Sequence, residues 1–177
     1  MANDWRDLLR DRIRSVVQAT RATTRAATRR PARRTTVPRP PHVALPDYEE
    51  RLTPAYAPDL DGDADPGEVV WTWVPFEDEP SQGKDRPVLV VGHDEPHLLG
   101  LMLTSKDHSR NAEQEARQGR HWLDIGSGDW DAQRRPSEIR LDRVLRIDPA
   151  QVRREGSVMP RAMFEEVVGS LAEVKGW

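Results

Sequence analysis

Two short apolar runs dominate the hydrophobic pattern of the chain. Val88-Leu89-Val90-Val91 follows Gly83-Lys84-Asp85-Arg86-Pro87, and Leu98-Leu99-Gly100-Leu101-Met102-Leu103 ends in Thr104-Ser105-Lys106. Runs of this length, rich in branched residues and bounded by Gly, Pro and charge, predict buried strands rather than helices. Ahead of them Glu68 to Val74 alternates and predicts a first strand, with Val69, Trp71 and Trp73 on one face and Glu68, Val70, Thr72 and Val74 on the other. Further strands are predicted over 121–125, 137–141 and 144–147, with Lys106 to Arg120 a loop or frayed helix and Gly126 to Trp130 a turn. Asp148-Pro149 suits the start of a short helical turn. Met163, Phe164, Val167, Val168, Leu171 and Val174 recur at helical spacing and predict a C-terminal amphipathic helix packed on the sheet.

The N-terminal third has a different pattern. Trp5, Leu8, Leu9, Ile13, Val16 and Val17, with Arg6, Arg10, Arg12 and Arg14 between them, predict a basic amphipathic helix over 1–18, capped by Asn3 or Asp4. From 19 to 65 no period buries a face. Thr, Arg, Ala and Pro give way to an acidic stretch ending Asp59-Leu60-Asp61-Gly62-Asp63-Ala64-Asp65, and the whole reads as a flexible, disordered linker. The Asp59, Asp61, Asp63 spacing suggests calcium, but no closing Glu and no flanking helices support it. The expected fold is therefore mainly β (α+β): a small antiparallel barrel with a C-terminal helix over 66–177, preceded by the helix and the linker.

Composition sharpens this division. Charged residues make up 32% of the 177 residues against 36% hydrophobic, with fifteen Pro, too polar for a chain packed from end to end. The absence of Cys removes disulfides, thiolate metal sites and thiol nucleophiles, and suits a reducing, cytoplasmic setting. No run approaches the ~18 apolar residues of a membrane span. The net charge of −3 hides a split: residues 1–40 hold eleven Arg and three Asp, +8, which leaves −11 on the remainder. A basic arm of this kind has nucleic acid or an anionic membrane surface as its natural partner, or else docks on the body or a second subunit. Its Arg- and Thr-rich part also has the flavour of a transit peptide, which the three early Asp oppose.

Candidate chemistry gathers at strand ends. An antiparallel hairpin of the two apolar runs brings Arg86 and the hydroxyls of Thr104 and Ser105 to one edge, a phosphate-sized cluster of donors. In Ser137-Glu138-Ile139-Arg140-Leu141-Asp142, Ile139 and Leu141 face the core, so Glu138, Arg140 and Asp142 share the other face about 7 Å apart. Taken alone, that pair reads as an exposed ion pair of little energetic weight. Of the five His, His93 and His97 have helical spacing, yet Pro96 between them removes the helix, and no metal or cofactor is expected. Trp71, Trp73 and Trp122 suit either the core or a stacking surface for bases.

Four segments together carry a resemblance. Pro66-Gly67-Glu68-Val69-Val70-Trp71, Gln82 to Val91 with its Gly-x-x-Arg-Pro, Leu103-Thr104-Ser105-Lys106 and Ser137 to Asp142 resemble, in order and spacing, the PemK/MazF family of bacterial toxins. The resemblance implies a homodimeric SH3-like barrel that cleaves single-stranded RNA without metal and is restrained by a cognate antitoxin protein. It places Arg86 and Thr104 on phosphate-binding and catalytic positions and matches Arg140 and Asp142 to an acid–base pair. Ser105, Gln82, Lys84 and Lys106 are the accompanying substrate-binding candidates. The loop Glu77 to Gln82 lacks a His that some members carry there and is acidic for a surface that approaches RNA. The chemistry is coherent in itself: the 2′-hydroxyl of RNA is the nucleophile, Asp142 its base, Arg86 and Arg140 stabilise developing charge, and Thr104 and Ser105 donate to non-bridging oxygens. The competing expectation is a barrel that binds nucleic acid or a protein partner without turnover.

Overall fold

The structure, a computed structural model, describes residues 42–177. The expected N-terminal helix and the linker up to residue 41 lie outside the described residues. Six strands follow the expected order, β1 Glu68–Pro75, β2 Gly83–Asp94, β3 His97–Thr104, β4 Trp122–Gly126, β5 Ser137–Arg140 and β6 Leu145–Ile147, and a seventh that was not expected, β7 Arg154–Val158, comes after them. Two helices complete the body, α1 Ala112–Arg117 and α2 Arg161–Lys175, with short 3-10 turns at Ser109–Asn111 and Pro149–Gln151. The strands form one antiparallel sheet in the order β4-β5-β3-β2-β1-β7, with β6 also on β3, curled into a half-barrel.

The continuous apolar runs are explained by burial on both faces. Along β2, Leu89 and Val91 join one core cluster, with Leu99, Leu101, Ile139 and the α2 residues Phe164, Val167 and Leu171. Val88 and Val90 point the other way, into a second cluster with Val70, Val74, Met102 and Ile147. Each of these side chains, fully withdrawn from water, contributes about 1.5–3 kcal/mol, so neither face tolerates the polar alternation of a half-exposed strand.

β3 changes partners along its length. Leu98 to Gly100 pair with β6, and Leu103 and Thr104 pair with β5, while β2 flanks the strand on its other side. β7 has no apolar signature in the sequence; it joins through backbone pairing to β1, from Glu68↔Val158 to Trp71↔Arg154, with an irregularity at Val69/Val70.

One expectation is corrected here. The span 42–65, assigned to flexible linker, lies along the body: Tyr48 and Leu52 are core residues, Tyr48 bridges Val144, and the Tyr56 hydroxyl donates to the Met159 carbonyl at 2.8 Å. Tyr48, Leu52 and Tyr56 are spaced four apart as on a helix face, but Pro54 and Pro58 between and after them exclude a helix, and an extended strap buries each one singly. Along β1, Glu68, Val69, Val70, Thr72 and Val74 are buried, while Trp71 and Trp73 are half-buried and Trp73 stacks on His42 with ring centroids 4.8 Å apart. The expected turn after β4 is present and carries a core residue: Trp130 is buried and its Nε1 donates to Ser137 Oγ at 3.1 Å.

Candidate active site

Where β2 separates from β3, the sheet opens into a cleft of about 330 Å³. Pro87 has no N–H to offer a neighbouring strand, and the β2–β3 ladder ends one residue later at Val88↔Met102. Carried two residues further, that register sets Arg86 opposite Thr104, and both line the cleft with Lys106 and Arg140. Gly83, first residue of the Gly-x-x-Arg-Pro segment, lies so close to β1 that a Cβ there would collide with the Val74 carbonyl oxygen and the Trp73 ring. The glycine thus lets β2 approach β1 at the foot of the cleft and places Arg86 across from Thr72.

The cations differ in how they are held. Among the described residues Arg86 has no ion pair or hydrogen bond, and it is half-buried on the cleft wall. Thr104 is buried; its Oγ1 accepts the Lys106 backbone N–H at 3.1 Å, which leaves the hydroxyl proton to donate. Arg140, by contrast, is fixed. Its Nε lies 3.1 and 3.0 Å from the two Asp142 oxygens, one terminal nitrogen lies 2.6 Å from Asp142 Oδ2, and Glu77 meets it at 3.0 Å. Burial alone would weaken a guanidinium's hold on its proton, but the Asp142 hydrogen bonds and charge, with those of Glu77, outweigh it and hold the Arg140 pKa above its ordinary value. Arg140 is a permanent cation, unsuited to giving up a proton.

The Glu138, Arg140, Asp142 face is therefore no exposed ion pair: Glu138 and Arg140 are buried, and only 15% of the Asp142 side chain is exposed. The reason is the curl of the sheet, which folds the face expected to meet solvent against the β1–β2 loop and the segment before β4. Asp142 also accepts the His121 backbone N–H at 2.8 Å and is not part of the cleft wall, so it stands against Arg140 rather than beside Arg86 and Thr104. Ser105, Gln82 and Lys84 likewise lie outside that wall; Lys84 sits over the Phe76 ring at 5.7 Å.

Pattern reading missed one corner of the cleft. His108 stacks on Trp122 with ring centroids 4.0 Å apart and planes 8° from parallel. Glu115, from α1, accepts the Trp122 Nε1–H at 3.3 Å and lies 3.7 Å from both His108 Nδ1 and an Arg120 terminal nitrogen. Burial would raise the Glu115 carboxyl, but the Trp122 hydrogen bond and then the charges of His108 and Arg120 hold its pKa below the usual carboxylate range. Only Trp122 gave a signal in sequence. Across the wall Arg86, Lys106, Arg120, Arg140 and Arg143 face Glu77, Asp78 and Glu115, so the cleft reverses the acidic sign of the body.

A family model describing the PemK-like, MazF-like toxin of type II toxin-antitoxin systems matches residues 65–174. The chain belongs to this family. The matched span holds every residue of the cleft wall, from Val74 to Arg143, and most of α2, whereas the strap residues 42–64 precede it. A comparison with curated proteins finds no match. Among the described residues no helix is long and apolar enough to cross a membrane, and no group of three or more His, Asp or Glu is arranged to hold a metal ion.

Proposed function

We propose that this PemK/MazF-family chain is an endoribonuclease toxin that cuts single-stranded RNA without metal, by attack of the 2′-hydroxyl on the adjacent phosphorus. The observation that carries this reading is Arg86, without a side-chain partner among the described residues, opposite the Thr104 hydroxyl in a cleft of reversed charge. A backbone phosphate placed there meets a free guanidinium, a hydroxyl donor and the fixed charge of Arg140, all suited to the charge that grows on a phosphorane. The products are a 2′,3′-cyclic phosphate and a 5′-hydroxyl. The position of Asp142 favours the role of orienting Arg140 over that of base. An antitoxin that covers the cleft, a homodimeric state and a cytoplasmic site of action belong to the same reading, supported by family membership.

Purified protein incubated with a long unstructured RNA in EDTA is expected to cut it, and intact RNA would refute the proposal. Arg86→Ala is expected to abolish cutting while shifting stability by no more than about 0.5 kcal/mol, because that side chain has no ion pair or hydrogen bond to lose among the described residues. One observation favours the rival reading of a binding module without turnover: Glu77 already holds Arg140. Equal growth inhibition by the wild-type and Arg86→Ala chains would decide for it.

A further inference from the structure

We propose that His108 is the group that takes the 2′-hydroxyl proton, a role that rests on the endoribonuclease reading above. A base is needed, and the cleft wall holds few. Arg86, Arg120, Arg140, Arg143 and Lys106 carry their protons at neutral pH, and Thr104 is a donor. Two of the three wall carboxylates are engaged, Glu77 on Arg140 and Glu115 by Trp122 and Arg120, and Asp78 is exposed to solvent on the β1–β2 loop. His108 remains, the one side chain on the wall whose type changes charge near neutral pH.

Its setting is that of a held imidazole. The ring lies flat on Trp122, its backbone N–H is pinned by both Glu138 oxygens at 3.1 and 3.0 Å, and 14% of the side chain is exposed. Nδ1 faces Glu115 Oε1 at 3.7 Å, which leaves Nε2 to meet substrate. A carboxylate behind an imidazole favours the tautomer with its proton on Nδ1 and stabilises the imidazolium that forms when Nε2 accepts one. The step balances as follows. The 2′-oxygen gives its proton to Nε2 and bonds to phosphorus, the P–O5′ bond breaks, the 5′-oxygen takes a proton from solvent water, and the imidazolium later returns its proton to solvent. The charged groups around the ring are Glu115 from α1, Arg120 ahead of β4, Glu138 from β5, Arg140 lying 6.0 Å from the Trp122 ring, and Glu77 across the wall. Glu115 is the one placed to set the ring's charge.

The test uses the full chain, a long unstructured RNA for cleavage and its 2′-O-methylated counterpart, which binds but carries no nucleophile. His108→Gln is expected to lower kcat by about 10²–10⁴-fold, leave binding of the methylated RNA within about twofold, and erase the acid limb of the pH–rate profile. Glu115→Gln is expected to reduce kcat, because the imidazolium that forms when Nε2 takes the proton loses the carboxylate behind it. Wild-type cleavage with an unchanged rate and limb in His108→Gln would overturn the assignment while sparing the endoribonuclease reading. So would a folded His108→Gln protein that loses RNA binding as steeply as cleavage. Should His108→Gln not fold, Glu115→Gln decides, and an unchanged kcat overturns the proposal. Wild-type protein that leaves RNA intact refutes the broader reading instead.

Discussion

At the scale of single residues the site divides into side chains that wait and side chains that are held. Arg86 has nothing to pair with among the described residues, whereas Arg140 spends its donors on Asp142 and Glu77. Removing the partner of a buried cation leaves it uncompensated, a larger penalty than the pair's net worth. Asp142→Asn is therefore expected to destabilise the protein by on the order of 3 kcal/mol and to lower cleavage through a displaced Arg140, read by urea titration beside an RNA assay. If the protein keeps its stability and loses cleavage alone, Asp142 acts in the chemistry directly. Arg86, Thr104 and Arg140 were legible in the sequence because short motifs fix them at strand ends. His108 and Glu115 were not: they meet through a 3-10 turn and a six-residue helix whose polar sequence has no period to read.

At the scale of elements the β1–β2 loop and the turn after β4 give separate predictions. Glu77, on that loop, occupies the guanidinium that a phosphate would use, at 3.0 Å from Arg140. Because Glu77 is about half exposed, the pair is worth at most about 1 kcal/mol, so Glu77→Gln is expected to tighten RNA binding about two- to fivefold with little change in stability, measured with 2′-O-methylated RNA. In the turn, Asp131 accepts from Arg135 Nε at 2.6 Å and from the Gln133 N–H at 2.9 Å, and the Arg135 hydrogen bond above all holds its carboxyl below the usual range. A lowered folded pKa adds stability that is complete above the ordinary Asp value and lost as pH falls through the folded one. Asp131→Asn is thus expected to cost about 1 kcal/mol or less at pH 7 and nothing near pH 2, compared by thermal melts at the two values. The sequence showed β2 and β3 because both their faces are buried, but concealed β7, an edge strand paired to β1 whose residues Arg154 to Val158 carry no run of apolar positions.

At the scale of the whole molecule the functional body begins earlier than composition suggests. Residues 42–177 belong to one compact unit, and the strap contributes Tyr48 and Leu52 to the core while Asp47 meets the buried Arg143 at 2.6 Å. Leu52→Ala is expected to cost about 2–5 kcal/mol in chemical denaturation. Deleting residues 1–60 is expected to unfold the body, since its total stability is of the order of 5–15 kcal/mol, whereas deleting 1–39 preserves it. The shorter deletion removes eleven Arg and is expected to weaken RNA binding at low salt and flatten its salt dependence; an unchanged slope would show that the arm does not touch the nucleic acid. Charge bookkeeping could locate the basic arm, but only packing shows where the strap takes over from it.

The central position of β3, bonded to β2 on one flank and to β6 and then β5 on the other, has a consequence for motion. Its amides are expected to be the last to exchange with deuterated solvent, while those of β4 and β7 at the rims exchange through local opening. Thr104 ends this slowest strand, so the floor of the cleft stays formed while the margins of the sheet breathe.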